Sequence, residues 1–300
     1  MRIAEELKKT GCTVRENAPM KEYTTFRVGG NADLLVLPET EEQLQNAYRL
    51  CLSHGIKPFV FGNGSNLLVS DDGLNGVVFR LGSNYARIEL LNETEIYCTS
   101  GTKLSDLCLF AEEHSLTGLE FAYGIPGCAG GAAFMNGGAY GGEMKDVLVS
   151  CSHLDENGNF GTFVGEELKL SYRHSIYSEN GYLITGMNLR LQKGKKEEIH
   201  AQMRELLQRR VDKQPLDLPS AGSYFKRPVG NFAGALIEQC GLKGLRVGDA
   251  EVSEKHAGFL VNRGHATTAD ILKLEETVRQ TVLKKTGVCL EREVQFIGRK

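Results

Sequence analysis

The chain has 300 residues, 35 of them basic and 38 acidic, for a formal net charge of −3. That length holds two domains or one large one with an ample core, and the slight acidic excess argues against a nucleic-acid binder. No apolar run reaches the length of a membrane span, and the amphipathic start from Met1 to Lys9 lacks a signal-peptide core, so a cytoplasmic protein without membrane insertion is expected.

After the opening helix, Asn17 to Gly30 is turn-rich and leads into a strand over Asp33–Leu37. Thr40-Glu41-Glu42-Gln43 reads as a capping box, and Leu44, Ala47, Tyr48 and Cys51 form the apolar stripe of a helix stopped by Gly55. A buried-type strand over Lys57–Phe61 runs into Gly62-Asn63-Gly64-Ser65-Asn66, and a short strand Leu67–Val69 follows. The dinucleotide fingerprint fails here, because Leu67 stands where a third glycine is needed and a strand replaces the helix. The turn is therefore a phosphate-type turn of non-Rossmann kind. Next come a strand over Val77–Leu81, a hairpin of Ala86–Leu90 with Glu95–Thr99 across Asn92, and a helix capped by Thr102 with Leu104, Leu107, Cys108 and Ala111 inward.

From Gly124 to Gly142 the chain is dense in glycine, almost uncharged, and without helical or strand period. Glycine is tolerated at this density where backbone takes positive φ or approaches another group closely, and exposed backbone N–H groups can wrap phosphate oxygens. A flexible linker is the other reading, but linkers are polar, and this stretch carries Ile125, Pro126, Phe134, Met135 and Tyr140. Strands then fall near Val147–Leu154 and Gly158–Val164, a polar segment spans Ser171–Ser175, and a strand covers Tyr182–Leu191. A boundary falls at Lys193–Lys196, followed by a helix to Val211 and an extended loop forced by Pro215 and Pro219. Asn231 caps a short helix closed by Gly241; strands near Ala250–Val252 and Gly258–Val261, a helix led by Thr267, and a strand Val288–Ile297 complete an α+β pattern.

Eight cysteines lie far apart with no C-x-x-C pair and read as buried free thiols, and seven histidines show no metal spacing, so no metal site is expected. His200 and Arg204 read as solvated. Ser223 stands between Gly222 and an aromatic pair, with Lys226 and Lys213 as nearby cations in sequence. A serine there is ordinarily a turn residue, and the G-x-S-x-G elbow of hydrolases is absent. Arg173, beside Tyr172, His174 and Ser175, reads equally as a surface ion pair. Strand alternation puts Glu291 and Glu293 on one face, ordinarily a solvated one.

Thr24 to Ala32, Gly62 to Leu68, Gly124 to Gly127 with Gly130-Gly131-Ala132, Asn136 to Gly141, Tyr172-Arg173, Gly222 to Lys226, Val252 to His256 and Leu290 to Val294 together resemble the UDP-N-acetylenolpyruvoylglucosamine reductase family. The resemblance spans nearly the whole chain in one order. It implies a flavoprotein of peptidoglycan synthesis, with an α+β FAD-binding region of the vanillyl-alcohol-oxidase type over 1–194 (lobes 1–80 and 81–194) and a smaller α+β substrate domain over 195–300. It makes Gly62, Asn63, Gly64, Ser65, Asn66, Leu67, Gly124, Ile125, Pro126, Gly127, Gly130, Gly131, Ala132, Asn136, Gly138, Ala139, Tyr140 and Gly141 the FAD cradle. Ser223 becomes the proton donor, and Arg173 and Glu293 the groups that polarise the enolpyruvyl carboxylate. Tyr172, Lys213, Lys226, Arg227 and His256 become substrate contacts. Arg227 stands where many members of the family carry Asn. Also implied are NADPH as co-substrate, UDP-N-acetylglucosamine enolpyruvate as substrate, a monomer, and the subgroup without the inserted tyrosine loop. No histidine lies in the cradle segments, which fits non-covalent FAD. A sugar-acid or alcohol oxidase on the same FAD scaffold is the alternative, and a non-catalytic nucleotide-binding module a third reading.

Overall fold

Thr40 Oγ1 accepts the Gln43 N–H at 3.1 Å and starts the helix Glu41–Ser53 in the computed structural model, which describes residues 2–299. Only half of the capping box forms, because the Gln43 side chain accepts from the Glu39 N–H instead. The stripe of Leu44, Ala47, Tyr48 and Cys51 is buried as its spacing requires, and Gly55 ends the helix at φ +70°. Elsewhere the expected caps shift. Thr102 Oγ1 donates to the Arg87 carbonyl, so Lys103 occupies the cap position of Leu104–Glu113 with no side-chain bond. Phe232 rather than Asn231 precedes the helix Ala233–Gln239. The opening helix is Arg2–Lys9; Met1 lies outside the described residues.

By its internal contacts the chain divides into two compact units. The first takes the segment up to Glu16, Leu34–Asn63 and Val77–Arg209; the second takes Asn17–Asp33, Gly64–Gly76 and everything from Arg210. This differs from the expected cut at residue 194 with lobes 1–80 and 81–194. Ile199 and Met203, early in the helix Lys196–Lys213, pack into the first unit's core. Residues 17–33 and 64–76 join the second unit because Asn262 Nδ2 donates to the Phe26 carbonyl, Thr25 Oγ1 to the Ser220 carbonyl, and Leu67–Val69 pairs with Gln295–Ile297.

The first unit holds a five-stranded antiparallel sheet in the order Phe160–Val164, Leu148–Leu154, Leu183–Arg190, Glu95–Thr99, Ile88–Leu90. Cys151 lies opposite Met187, and Met187 opposite Cys98, so their side chains enter one core with Leu107, Phe121 and Leu189. Each fully buried residue of this size contributes roughly 1.5–3 kcal/mol of transfer free energy. A second core surrounds Leu7, Val36, Leu44, Phe79 and Leu154. Two short helices in this unit, Ala129–Phe134 and Ile176–Asn180, have no counterpart in the sequence reading, the first because glycine masks the period. His200 is exposed, as read, and its ring also pairs at 2.9 Å with the buried Glu112.

The second unit holds an antiparallel sheet in the order Ser220–Ser223, Phe259–Asn262, Ala250–Val252, Arg246–Val247. The helix Thr268–Thr286, capped by Thr267 and Asp270 and closed by Gly287 at φ +74°, buries Ile271, Leu274, Val278 and Val282 in this unit's core. The expected final strand shrinks to Gln295–Ile297, because only these residues pair along Leu67–Val69. Upstream of it the chain makes a single bridge, Arg292 to Phe225. The architecture is α+β, as expected. Seven cysteines are buried and Cys289 is exposed. No described helix is long and apolar enough to cross a membrane, and no metal-holding cluster occurs among the described residues.

Candidate active site

In the first unit the two glycine segments meet. Asn63 Nδ2 donates to the Pro126 carbonyl at 2.8 Å, and a Cβ on Gly62 would lie 3.0 Å from Cys128 Cβ. Gly127 O accepts the Leu104 N–H, and the Gly130 N–H reaches the Ser100 carbonyl at 2.9 Å. A Cβ on Gly130 would fall 2.5 Å from Ser100 Cβ, so close packing of the chain on itself dictates that glycine. Gly131 differs. It is exposed, its φ is ordinary, and nothing lies within 4 Å of where its Cβ would be.

The Asn136–Gly141 segment continues this surface. Asn136 is buried at φ +44°, donates to Glu143 Oε2 at 2.7 Å and to the Ser171 carbonyl at 3.2 Å, and accepts from the Lys145 N–H. Gly138 and Ala139 pair back onto Gly142 and Glu143, which turns the chain through Tyr140 (φ +54°) and Gly141 (φ +93°). Gly141 also has open space at its Cβ position. Through Asn136 the same stretch holds the tight turn Ser171–His174, which carries Tyr172 and Arg173. Arg173 sits at φ +55°, its guanidinium 5.2 Å from the Tyr172 ring centroid. Ile125 and the exposed Pro126 lie in the loop before the helix Ala129–Phe134, which buries Ala132.

The second unit gathers the other candidates. Gly64 is held at φ +62°, where a Cβ would come 2.6 Å from the Tyr23 carbonyl oxygen, and Gly64 O accepts the Thr25 N–H. Two residues on, Asn66 Nδ2 donates to the Glu293 carbonyl at 3.3 Å, and Asn66 O accepts the Gln295 N–H at 2.9 Å. Leu67 is buried at the start of the parallel pair. Ser223 is the exposed last residue of Ser220–Ser223, opposite Phe259, just after Gly222 at φ +76°. The next three residues run antiparallel to 291–293. The Glu293 N–H donates to the Tyr224 carbonyl at 2.9 Å, and the Lys226 N–H to the Glu291 carbonyl at 2.8 Å. Ser223 and Glu293 thus stand on neighbouring segments joined around the Phe225–Arg292 bridge, and the second of these also holds Asn66.

Among the expected substrate contacts, Lys226 Nζ pairs with Glu291 Oε2 at 3.2 Å, and the Arg227 guanidinium lies 4.1 Å from the Phe232 ring centroid. His256 is half-buried against Phe259; its Nδ1 accepts the Gly258 N–H at 3.1 Å, and burial depresses its pKa, so it is neutral at pH 7. Lys213 is the exposed end of Lys196–Lys213, and among the described residues no hydrogen bond ties it to Ser223 or Glu293.

One group escaped the sequence reading. Glu275, 3% exposed, lies on the helix Thr268–Thr286 and accepts the Tyr224 hydroxyl at 2.9 Å and Arg292 Nε at 3.0 Å. Burial, and then the Glu275 charge, push the Tyr224 phenol well above its usual range. The signal was legible: Glu275 falls on the stripe of Ile271, Leu274, Val278 and Val282, where a carboxylate needs a partner.

Residues 32–163 match the FAD binding domain family, and residues 214–297 match the C-terminal domain of UDP-N-acetylenolpyruvoylglucosamine reductase. The chain is 47% identical over 285 residues to the UDP-N-acetylenolpyruvoylglucosamine reductase of Syntrophomonas wolfei, covering 95% of each. It superposes on the crystal structure of the same-named enzyme from Thermus caldophilus with a TM-score of 0.81 and 37% identity, over 95% of this chain and 98% of that one. A berberine-bridge-enzyme-like protein of Physcomitrella patens shares the fold alone, with a TM-score of 0.52 and 14% identity over 97% of this chain and 61% of that one. The cradle fits FAD on the chain's own terms. Gly131 is a glycine that neither its φ nor any neighbouring protein atom requires, and it leaves backbone open to an outside group. The chain belongs to the UDP-N-acetylenolpyruvoylglucosamine reductase family and is an FAD-binding oxidoreductase.

Proposed function

We propose that the protein reduces UDP-N-acetylglucosamine enolpyruvate to UDP-N-acetylmuramate at the expense of NADPH, as a cytoplasmic monomer serving peptidoglycan precursor synthesis. FAD, non-covalently bound, supplies the hydride carrier between NADPH and the enol ether. The residues from Gly62 to Leu67 and from Gly124 to Gly141 hold it, chiefly through backbone N–H groups. Arg173 and Glu293 polarise the enolpyruvyl carboxylate. As hydride reaches the methylene carbon, negative charge spreads from the adjacent carbon into that carboxylate, and a fixed guanidinium stabilises it most in the transition state. Ser223 gives its hydroxyl proton to the adjacent carbon; a hydroxyl is a weak acid and acts only at contact with so basic a carbon.

Tyr172, Lys213, Lys226 and Arg227 bind the sugar nucleotide, the cations meeting its pyrophosphate or carboxylate. His256, neutral through burial, contributes as a hydrogen-bonding group rather than as a cation. The observation that carries the reading is the 2.9 Å bond from the Glu293 N–H to the Tyr224 carbonyl, which keeps Ser223 and Glu293 on adjacent segments within a chain of this family.

The test separates two half-reactions. NADPH should bleach the flavin absorbance, and the enolpyruvyl nucleotide should restore it anaerobically. Ser223→Ala should leave the first half nearly intact and slow the second by about 10²–10⁴-fold. Equal loss in both halves would sink the proton-donor role, and oxygen consumption with a hydroxylated sugar or alcohol in place of NADPH oxidation would favour an oxidase.

A further inference from the structure

Tyr224 and Arg292 flank the reacting pair in sequence: Ser223 immediately precedes the first, and Glu293 immediately follows the second. Both side chains converge on one buried carboxylate, with Tyr224 Oη at 2.9 Å and Arg292 Nε at 3.0 Å from Glu275. Glu275 belongs to the middle of the long helix Thr268–Thr286, whose apolar neighbours fix it in the unit's core. The same helix reaches the Arg292 segment a second time, where Arg279 Nε donates to the Leu290 carbonyl at 3.1 Å. The two segments themselves share only a short run of backbone bonds around the Phe225–Arg292 bridge. A ladder this short sets register weakly on its own, so a side-chain clamp adds what the backbone lacks.

We propose that Glu275 is a positioning residue that, through Tyr224 and Arg292, holds the Ser223 hydroxyl and Glu293 in register for protonation of the substrate. The inference rests on the functional reading above. A carboxylate so placed needs partners of this kind, because burial of an unpaired charge is strongly unfavourable. An aliphatic residue would satisfy the apolar stripe equally well and would leave the two neighbours unclamped. Displacement of a reacting group by about 1 Å costs on the order of 10²-fold in rate, which sets the scale expected.

The experiment compares Glu275→Gln, Tyr224→Phe and Glu251→Gln in the FAD-loaded full chain by anaerobic stopped flow, with thermal melting alongside. Glu251 is the matched control, a 2%-exposed carboxylate of the same unit paired with Arg246 and Arg263 in the sheet. In Glu275→Gln, flavin reduction by NADPH should stay within about twofold of wild type, while reoxidation by saturating enolpyruvyl nucleotide should slow by about 10- to 100-fold. Tyr224→Phe keeps the ion pair and should slow the same step by a smaller factor. It carries the test alone if Glu275→Gln yields no folded flavoprotein. Glu251→Gln should lower the melting temperature without changing either half-reaction. If Glu275→Gln or Tyr224→Phe behaves like Glu251→Gln, losing only stability, or if both half-reactions slow equally, the clamp is merely structural and the proposal is overturned. A wild-type protein that NADPH reduces but the enolpyruvyl nucleotide cannot reoxidise overturns the functional reading itself, and the inference with it.

Discussion

Replacing Gly131 by alanine separates what the chain needs for folding from what it needs for its cofactor. Gly131 is the third residue of the helix Ala129–Phe134, exposed, without positive φ, and with no atom within 4 Å of its Cβ position. Alanine is favoured over glycine in a helix interior by about 1 kcal/mol, and no steric term opposes it here. The apoprotein should therefore gain up to about 1 kcal/mol, a rise of roughly 2 °C in melting temperature. A group lying against the bare backbone would be pushed outward by about one bond length, ~1.5 Å. Its hydrogen bonds to the cradle N–H groups would stretch beyond useful range. FAD affinity should fall at least about tenfold, or ~1.4 kcal/mol. Calorimetric melting of flavin-free protein and fluorescence titration with FAD read the two effects separately. An apoprotein less stable than wild type would mean that the space is not open; unchanged FAD affinity would mean that nothing lies over Gly131, and either result refutes the reasoning.

The turn at Gly64 behaves oppositely: Gly64→Ala forces a side chain into the left-handed region with its Cβ 2.6 Å from the Tyr23 carbonyl oxygen, and should cost about 2–4 kcal/mol in urea unfolding even without flavin. Burial pushes the Cys51 thiol up to about 12 and Cys128 up to about 11, whereas Cys289 is exposed, so one thiol per native chain should react rapidly with a thiol reagent at pH 8, and Cys289→Ser should abolish that phase. His153 is buried, stacks on Phe163 with ring centroids 4.5 Å apart, and has a pKa lowered chiefly by burial. Its stabilising contribution is full above the unfolded-state value of about 6.5 and is lost as pH falls below it toward the lower folded value. Urea midpoints should accordingly drop between pH 7 and pH 5, and the drop should be shallower in His153→Phe; an unchanged slope would contradict the assignment.

Much of this protein is legible as local pattern. The stripe from Leu44 to Cys51 and the alternation of Glu95–Thr99 report themselves, because helix and strand periods are properties of neighbours along the chain. The glycine turns are legible for a similar reason: backbone at positive φ, as at Gly64 and Gly141, leaves few residue types to choose from. Motif order along the chain was enough to suggest the family, which the relatives then established. Local pattern was least informative where side chains replaced it. Thr102 has the chemistry of a cap but spends its hydroxyl on the Arg87 carbonyl, and the glycines of Ala129–Phe134 hide a helix.

The tertiary structure decided everything that joins residues distant in sequence. Asn66 reaches Glu293 across 227 positions and Thr25 reaches Ser220 across 195, so the compact units cut across the expected domain boundary. Read locally, Ser223 is an ordinary turn serine and Glu293 an ordinary solvent-facing carboxylate, while Glu275 drew no reading at all. The bridge at Phe225–Arg292 and the buried helix face around Glu275 bring these segments together, because register and burial depend on which segments meet in space. That meeting is set by the packing of the whole unit and by no period within any one segment.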